Sequence, residues 1–254
     1  MNFPIQPELF GVSLPLHFIF ETLAFVMGYR YYAYLRKRQG DAVEHDKRLQ
    51  VIIGAAAGAL LGSRLLGAME QPLQWWEAEH FWLYLYTNKT VVGGFVGGLI
   101  GVELTKKIVG VKRSTGDLFT FPLILALIIG RIGCFCMGVA EETYGVATTL
   151  LWGMDLGDGI LRHPVTLYEI LFLVLLFMGL KWIQKNKNLK SGMLFQFFMI
   201  AYVLYRLLQD FIKPTFNYDF IHLSSIQIVC ILTLIYYLNT IYNLIFKPIK
   251  LLDY

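Results

Sequence analysis

The chain is dominated by apolar runs of about 20 residues, the length that a helix needs to cross a hydrocarbon core of roughly 30 Å. Only 16% of its 254 residues are charged, whereas soluble domains carry roughly a quarter. Read in windows of about 20 residues, the runs cover 14–34, 50–69, 91–108, 117–138, 164–183, 192–212 and 224–246. The pattern predicts an all-α, polytopic integral membrane protein of about seven transmembrane helices.

Lys and Arg residues concentrate after the first, third and fifth runs and at the end of the chain. Cytoplasmic loops keep positive charge, so the N-terminus is expected outside and the C-terminus in the cytoplasm. The N-terminal segment lacks the basic region of a signal peptide, so the first run should be retained. We expect one transmembrane domain, 1–254, whose external segments 70–90 and 139–163 form an outer head. The basic residues in question are Arg36, Lys37, Arg38, Lys47, Arg48, Lys106, Lys107, Lys112, Arg113, Lys181, Lys185, Lys187, Lys190, Lys247 and Lys250.

Two arginines lie too deep in apolar runs to be loop charges. Burying an unpaired guanidinium in a membrane is costly, so a carboxylate or a phosphate must lie against Arg131. Arg206 belongs to a series with Tyr202, Asp210 and Lys213, whose spacings of four, four and three place them on one helix face. Such a face must border a protein interior or a wet cavity. An internal ion pair between Arg206 and Asp210 that merely joins helices is the alternative.

A polar, glycine-rich segment, 130–164, separates two apolar runs. It ends in Arg162-His163-Pro164, and Tyr168 and Glu169 follow in the next run. A polar stretch between two membrane helices is tolerated where it lines a cavity or is buried in protein. We therefore expect this segment to build a site.

Other polar or small residues in the runs allow two interpretations each. His17 and Glu21 share a helix face, and either a functional pair or simple solvation near the outer interface explains them. The five glycines between 93 and 101 suit tight helix packing or close approach to a ligand. The three cysteines, Cys134, Cys136 and Cys230, fit buried thiols better than a metal site, which normally needs four ligands in a recognisable spacing. No metal or cofactor is expected.

Taken together, these features resemble the bacterial prolipoprotein diacylglyceryl transferase family. The resemblance covers nearly the whole chain, in the family's order, and GRIG at 130–133 followed by RHP at 162–164 and LYE at 167–169 is a specific combination. The other matching residues are Gly62, Ser63, Arg64, Leu65, Gly97, Gly98, Leu99, Ile100, Gly101, Asp117, Phe135, Tyr144, Gly145, Trp152, Tyr202 and Arg206.

The resemblance implies a multi-pass enzyme of the bacterial cytoplasmic membrane that works in lipoprotein biosynthesis. Family members move the diacylglyceryl group of phosphatidylglycerol, an anionic phospholipid, to the lipobox cysteine of a prolipoprotein and release glycerol phosphate. Arg131 and Arg206 match the family's essential arginines, and guanidinium forks suit a phosphodiester. The implied substrate-binding residues are Arg64, Gly97, Gly98, Gly133, Gly145, Arg162, Tyr168, Glu169, Tyr202 and Asp210.

The chain departs from the family's pattern where a base is expected. Val96 occupies the place of the family's histidine, Cys134 and Met137 replace two asparagines, and Asp210 replaces a glutamate. The family's tyrosine in the first run also has no counterpart. His163 or Glu142 would then take the proton of the acceptor thiol, or the arginines alone would lower the pKa of that thiol.

Three functions fit this sequence. The first is transfer of the diacylglyceryl group to a lipobox cysteine. The second keeps the phosphatidylglycerol donor and the arginine site but uses another acceptor, which the missing histidine favours. The third is a non-catalytic lipid-binding protein that retains the arginine cavity.

Overall fold

The structure, a computed structural model, describes residues 3–9 and 11–246, and this part of the chain is mostly helical. It contains ten α-helices and two short antiparallel hairpins, β1–β2 and β3–β4. The helices are α1 (Leu16–Gln39), α2 (His45–Ala68), α3 (Pro72–Glu77), α4 (Phe81–Thr87), α5 (Val91–Val109), α6 (Asp117–Met137), α7 (Val165–Asn186), α8 (Met193–Asp210), α9 (Ser225–Tyr236) and α10 (Leu238–Phe246). The strands are β1 (Glu8–Leu9), β2 (Val12–Ser13), β3 (Met154–Asp155) and β4 (Leu161–Arg162).

Each predicted apolar run coincides with helix, although the last run is broken. Among the described residues, α2, α6 and α7 are long and apolar enough to cross a membrane, and the pair α9–α10 would add a fourth span. The axes of this pair differ by 60°, with the break at Tyr237. These helices make the chain a membrane protein; about seven spans and their orientation remain predictions. Lys247 and Lys250, which entered the orientation argument, lie outside the described residues.

The glycines of α5 pack against α2. A methyl group added at Gly97 would meet the Cα of Gly62 at 2.8 Å, and one added at Gly101 would meet the Cα of Gly58 at 3.2 Å. Backbones this close leave no room for a side chain. The structure therefore supports packing as the reason for these glycines.

The core lies among α6, α7, α8 and α9. Ile124, Leu173, Phe198 and Cys230 have no exposed surface there. α6 ends, α7 begins and α8 ends at the same end of this bundle, because consecutive helices run antiparallel. Polar residues near those three helix ends consequently meet, and the candidate site forms there.

The two segments expected to form an outer head have regular structure of their own. Segment 70–90 folds into α3 and α4, on which Trp76 and Trp82 are largely exposed. Segment 139–163 contains β3 and β4, joined by a turn in which Asp155 accepts hydrogen bonds from the amides of Gly157 and Gly159 at 2.8 and 3.0 Å. These two bonds hold the pKa of the Asp155 carboxyl below its usual value.

Candidate active site

Two arginines and one carboxylate form the centre of the site. Oε2 of Glu169 lies 2.9 Å from Nε of Arg131 and 3.1 Å from Nη1 of Arg206. Tyr202 donates a hydrogen bond of 2.8 Å to the other oxygen, Oε1. All four side chains are buried. The anion that the sequence requires beside Arg131 is therefore the carboxylate of Glu169.

Helix geometry brings these four residues together. Tyr202 and Arg206 lie one turn apart on α8, so they face the same neighbour. Glu169 lies one turn into α7, which begins directly after Pro164, and Arg131 lies near the end of α6. The polar segment between α6 and α7 thus joins two helix ends that both reach the site.

The alternative interpretation, an ion pair between Arg206 and Asp210, is not what the structure shows. Arg206 pairs with Glu169, whereas Asp210 accepts a hydrogen bond from the hydroxyl of Ser224, the N-cap residue of α9. Gln209, on the same helix, donates a hydrogen bond of 2.8 Å to the carbonyl oxygen of Val165. Asp210 and Gln209 therefore fix α8 to its neighbours, and this leaves the Arg206 guanidinium for the cluster.

A cavity of about 500 Å³ opens beside the cluster. This volume lies in the range of small-molecule sites, about 300–1,000 Å³. Four of the residues that the sequence assigns to the site line it, namely Arg131, Arg206, Glu142 and Glu169. The Nε of Arg206 is buried and has no hydrogen-bond partner in the described part of the chain. A ligand oxygen in the cavity would satisfy this donor.

The cavity also contains charges that the sequence did not assign to the site. Glu70 and Lys213 line it beside Arg206, and Lys89 and Glu141 line its wall. Burial raises the pKa of Glu70, which the charges of Lys213 and Arg206 partly oppose. Burial and then the charge of Arg206 lower the pKa of Lys213. The helix-face spacing with Arg206 could have identified Lys213, whereas no pattern marks Glu70.

His163 and Tyr168 lie outside the cavity lining, in a separate contact with Trp152. The indole Nε1 of Trp152 donates to the Tyr168 hydroxyl at 2.8 Å, and Nδ1 of His163 lies 3.3 Å from the same oxygen. Arg162 pairs with Asp158, at 2.7 Å between Nη2 and Oδ2. These contacts hold the segment before α7 in place.

Arg64 and the four predicted glycines also do not line the cavity. Arg64 lies over the ring of Tyr86, with its guanidinium carbon 4.8 Å from the centroid. Gly97 and Gly98 belong to the α2–α5 contact, and a methyl group at Gly98 would meet Ala59 at 3.5 Å. A methyl group at Gly133 would lie 2.9 Å from Phe20 of α1, and one at Gly145 would lie 2.6 Å from Cβ of His163.

Known proteins are similar in sequence to this chain over most of its length. The sequence model of the prolipoprotein diacylglyceryl transferase family matches residues 4–243. The phosphatidylglycerol–prolipoprotein diacylglyceryl transferase of Geobacter sulfurreducens is 30% identical over 233 residues, which cover 84% of both chains. The protein of the same name from Nitratidesulfovibrio vulgaris is 30% identical over 84% of this chain and 83% of its own. That from Finegoldia magna is 27% identical over 78% and 79%.

The family match extends across every helix from α1 to α9 and includes Arg131, Glu169 and Arg206. The similarity therefore extends over most of the chain and is not confined to one motif. The chain belongs to the prolipoprotein diacylglyceryl transferase family and is a transferase.

Proposed function

We propose that the protein transfers the diacylglyceryl group of phosphatidylglycerol to the lipobox cysteine of a prolipoprotein signal peptide and releases glycerol phosphate. One observation carries the proposal: two buried arginines share a single carboxylate at the wall of a cavity. The names of the family relatives support the choice of donor and acceptor.

The charge of the cluster suits a phosphodiester. Arg131 and Arg206 together carry two positive charges and Glu169 carries one negative charge, so the group has one net positive charge. A phosphodiester carries one negative charge. Guanidinium groups offer planar pairs of donors to phosphate oxygens. The headgroup phosphate would therefore bind beside Arg131 and Arg206, with the glycerol headgroup in the remaining cavity volume.

The reaction is a displacement at carbon. The thiolate sulfur forms a bond to the glycerol carbon of the diacylglyceryl group, and the bond from that carbon to the phosphate oxygen breaks. The electron pair of this bond leaves with glycerol phosphate, which gains a second negative charge. Donors fixed beside the developing charge lower the barrier, and removing one such donor typically costs about 10²–10³ in rate. Arg131 and Arg206 fill this role, with Lys213 as a third cation on the cavity wall.

The thiol must also lose its proton, because its ordinary pKa of about 8.5 leaves little thiolate at neutral pH. Of the two bases expected from the sequence, Glu142 lines the cavity. His163 lies against Tyr168 instead. We therefore propose that the Glu142 carboxylate accepts the proton of the acceptor thiol.

A different acceptor is the second candidate, and the position of Val96 favours it. Val96 packs partly buried against the hydrophobic core, in the place of the family's histidine. An enzyme with the same donor site and no such histidine would suit an acceptor that needs less activation than a thiol.

The expected orientation places the reaction at the outer leaflet of the bacterial cytoplasmic membrane. In an arrangement of about seven spans with the N-terminus outside, the end of α6 and the start of α7 both face outward. The lipobox cysteine of a prolipoprotein would then have to reach that side of the membrane.

The test is a mass-spectrometric assay with purified protein, phosphatidylglycerol vesicles and a lipobox peptide, following the peptide mass and released glycerol phosphate together. Arg131→Ala and Arg206→Ala should each lower product formation by at least about 10². Arg38→Ala is the matched control, because this arginine is exposed at the end of α1, where it donates a hydrogen bond to the Tyr34 hydroxyl and lies outside the cavity lining.

Each outcome of this assay has one meaning. A diacylglyceryl adduct with an equal amount of glycerol phosphate supports the proposed reaction. Glycerol phosphate without an adduct supports the second candidate. Undiminished turnover in both arginine variants, or no release of glycerol phosphate from the unmodified protein, contradicts the phosphate site.

A further inference from the structure

His17, Cys134 and Glu141 converge beside the arginine cluster from three separate segments. One ligand atom from each, a ring nitrogen, the thiol sulfur and a carboxylate oxygen, lies within 4.8 Å of the others. Nδ1 of His17 is 3.6 Å from Oε2 of Glu141. This Nδ1 is buried and has no hydrogen-bond partner in the described part of the chain. A bound ion is one of the partners that would satisfy a buried ring nitrogen in that state.

These three donors are a set that Zn²⁺ accepts. Zinc binds imidazole nitrogen, thiolate sulfur and carboxylate oxygen at about 2.0–2.3 Å, and catalytic sites use three protein ligands with an open fourth position. In a tetrahedron with such bonds the ligand atoms lie about 3.3–3.8 Å apart. The distance between His17 and Glu141 already has this value. The other separations are at most 4.8 Å, so they need a movement of about 1.5 Å or less.

The surrounding charges also fit a divalent cation. A thiolate from Cys134 and the carboxylate of Glu141 would balance both charges of the ion, so Arg131 nearby would meet a neutral centre. Nη1 of Arg131 lies 3.8 Å from Sγ of Cys134, as a donor to a metal-bound thiolate would. Oε2 of Glu21 lies 3.8 Å from Nε2 of His17, so its carboxylate faces the second ring nitrogen. Carboxylates commonly orient metal-binding histidines in this way.

We propose that His17, Cys134 and Glu141 form a Zn²⁺ site beside the cavity, which Glu141 itself lines. Side-chain exposures of 23% for His17 and 27% for Glu141 leave the site accessible to an entering ion. Cys136, two residues from Cys134, is buried outside the group and serves no such role.

If the protein has the proposed function, the zinc site gives the acceptor thiol a place to bind. This part of the inference therefore rests on the proposed function. Glu141 and Arg131 both line the cavity, so the ion borders the space where the donor phosphate would lie. A thiol that takes the open position of zinc binds as a thiolate. Its proton passes to Glu142, its sulfur then attacks the glycerol carbon, and the phosphate leaves with the electron pair of the broken bond. The metal would supply the activation that a histidine at position 96 does not.

Metal binding is tested without substrates. The full-length protein in detergent is equilibrated with zinc chloride, desalted and analysed for metal by mass spectrometry, and Co²⁺ loading is followed through the sulfur-to-cobalt charge-transfer band. We expect about one Zn²⁺ per chain. Cys134→Asn and His17→Gln should weaken zinc binding at least tenfold and abolish the cobalt band. Cys136→Ser, the matched thiol control, should keep both.

Cys134→Asn introduces the family's own residue, and circular dichroism checks that each variant keeps its helices. Less than a tenth of an equivalent of zinc in the unmodified protein overturns the proposal. So does unchanged binding by the two ligand variants. These measurements involve no catalysis, so they stand whether or not diacylglyceryl transfer is observed.

The thiol step has its own measurement. Adding a lipobox peptide to the Co²⁺-loaded protein should roughly double the charge-transfer absorbance, because a second sulfur joins the ion. A peptide with serine in place of cysteine should leave it unchanged. No response to the cysteine peptide contradicts the thiol step alone, and the metal site would then be separate from acceptor binding.

Discussion

Arg131 and Arg206, far apart in the sequence, meet at one oxygen atom: their nitrogens lie 2.9 and 3.1 Å from Oε2 of Glu169. Neither guanidinium has another carboxylate partner within ion-pair distance in the described part of the chain. Glu169 alone therefore prevents two buried positive charges from facing each other without a partner. The same oxygen fixes the separation of the two groups that would hold a phosphate.

Replacing Glu169 with Gln should destabilise the protein strongly. The variant leaves two buried guanidinium groups without an anion, and breaking a buried pair in this way costs about 3–5 kcal/mol. Unfolding in detergent, followed by loss of helical circular dichroism, measures the change. Glu103→Gln is the control, because the Glu103 side chain is 46% exposed and, among the residues that the structure describes, forms an ion pair with Lys106 alone. Its cost should stay below about 1 kcal/mol. Equal effects of the two variants would contradict the structural role assigned to Glu169.

Gly97→Ala should destabilise the contact between α2 and α5. The added methyl group would meet the backbone of Gly58 and lie 2.8 Å from the Cα of Gly62, so one helix must move. Overpacking of this kind costs about 1–3 kcal/mol. Gly179→Ala on α7 is the matched control, because its methyl group would meet nothing within 4 Å. The control should be neutral or slightly stabilising, by up to about 1 kcal/mol, in the same unfolding experiment. A neutral Gly97→Ala would contradict close packing of these helices.

Hydropathy located the helices because the bilayer fixes the length of each apolar run. It missed the break at Tyr237, since the run 224–246 contains neither Gly nor Pro to mark a turn. The requirement for an anion at Arg131 was also predictable, because an isolated buried charge is costly. The identity of that anion was not, because Glu169 belongs to another helix.

Spacing within one helix suggested an alternative for Asp210 that the structure does not support. Its distance of four residues from Arg206 favours a pair on the helix surface, but Ser224 and Glu169 supply the two partners from other helices. The convergence of His17, Cys134 and Glu141 was hidden for the same reason. Periodicity describes one helix at a time, whereas each of these contacts depends on tertiary packing.

Val96→His tests whether another residue has taken over the role of the family's histidine. Val96 packs against the hydrophobic core and lies outside the cavity lining. We expect no increase in diacylglyceryl transfer, because other groups activate the thiol in the proposed mechanism. A polar ring packed without a partner against the apolar core should instead cost about 1–3 kcal/mol of stability. The peptide assay and thermal unfolding measure both effects. A several-fold gain in transfer would show that the base had been lost, and would contradict the role given to Glu142.

Asp41, in the loop between α1 and α2, should make the stability of the protein depend on acidic pH. Its carboxylate lies 2.8 Å from Nε of Arg48 and 3.1 Å from Nε of Arg36. Burial alone would raise the pKa of Asp41, but the hydrogen bonds from Arg48 and the Val43 amide, with the arginine charges, hold it below its usual value. In the unfolded chain, the pKa of an Asp carboxyl is about 3.9. The stabilisation is therefore fully present above that pH and is lost as pH falls through the lower pKa of the folded protein.

Asp41→Asn should therefore cost about 3–5 kcal/mol at neutral pH, because Arg48 is buried and loses its anion. The difference in free energy of unfolding between this variant and the unmodified protein should shrink as the pH falls below about 4, where Asp41 itself becomes protonated. Unfolding in detergent across this pH range measures the two curves. Asp46→Asn, at an exposed position in the first turn of α2, is the control and should cost less than about 1 kcal/mol. Parallel curves for Asp41→Asn and the unmodified protein would show that this carboxylate is not the acid-sensitive group.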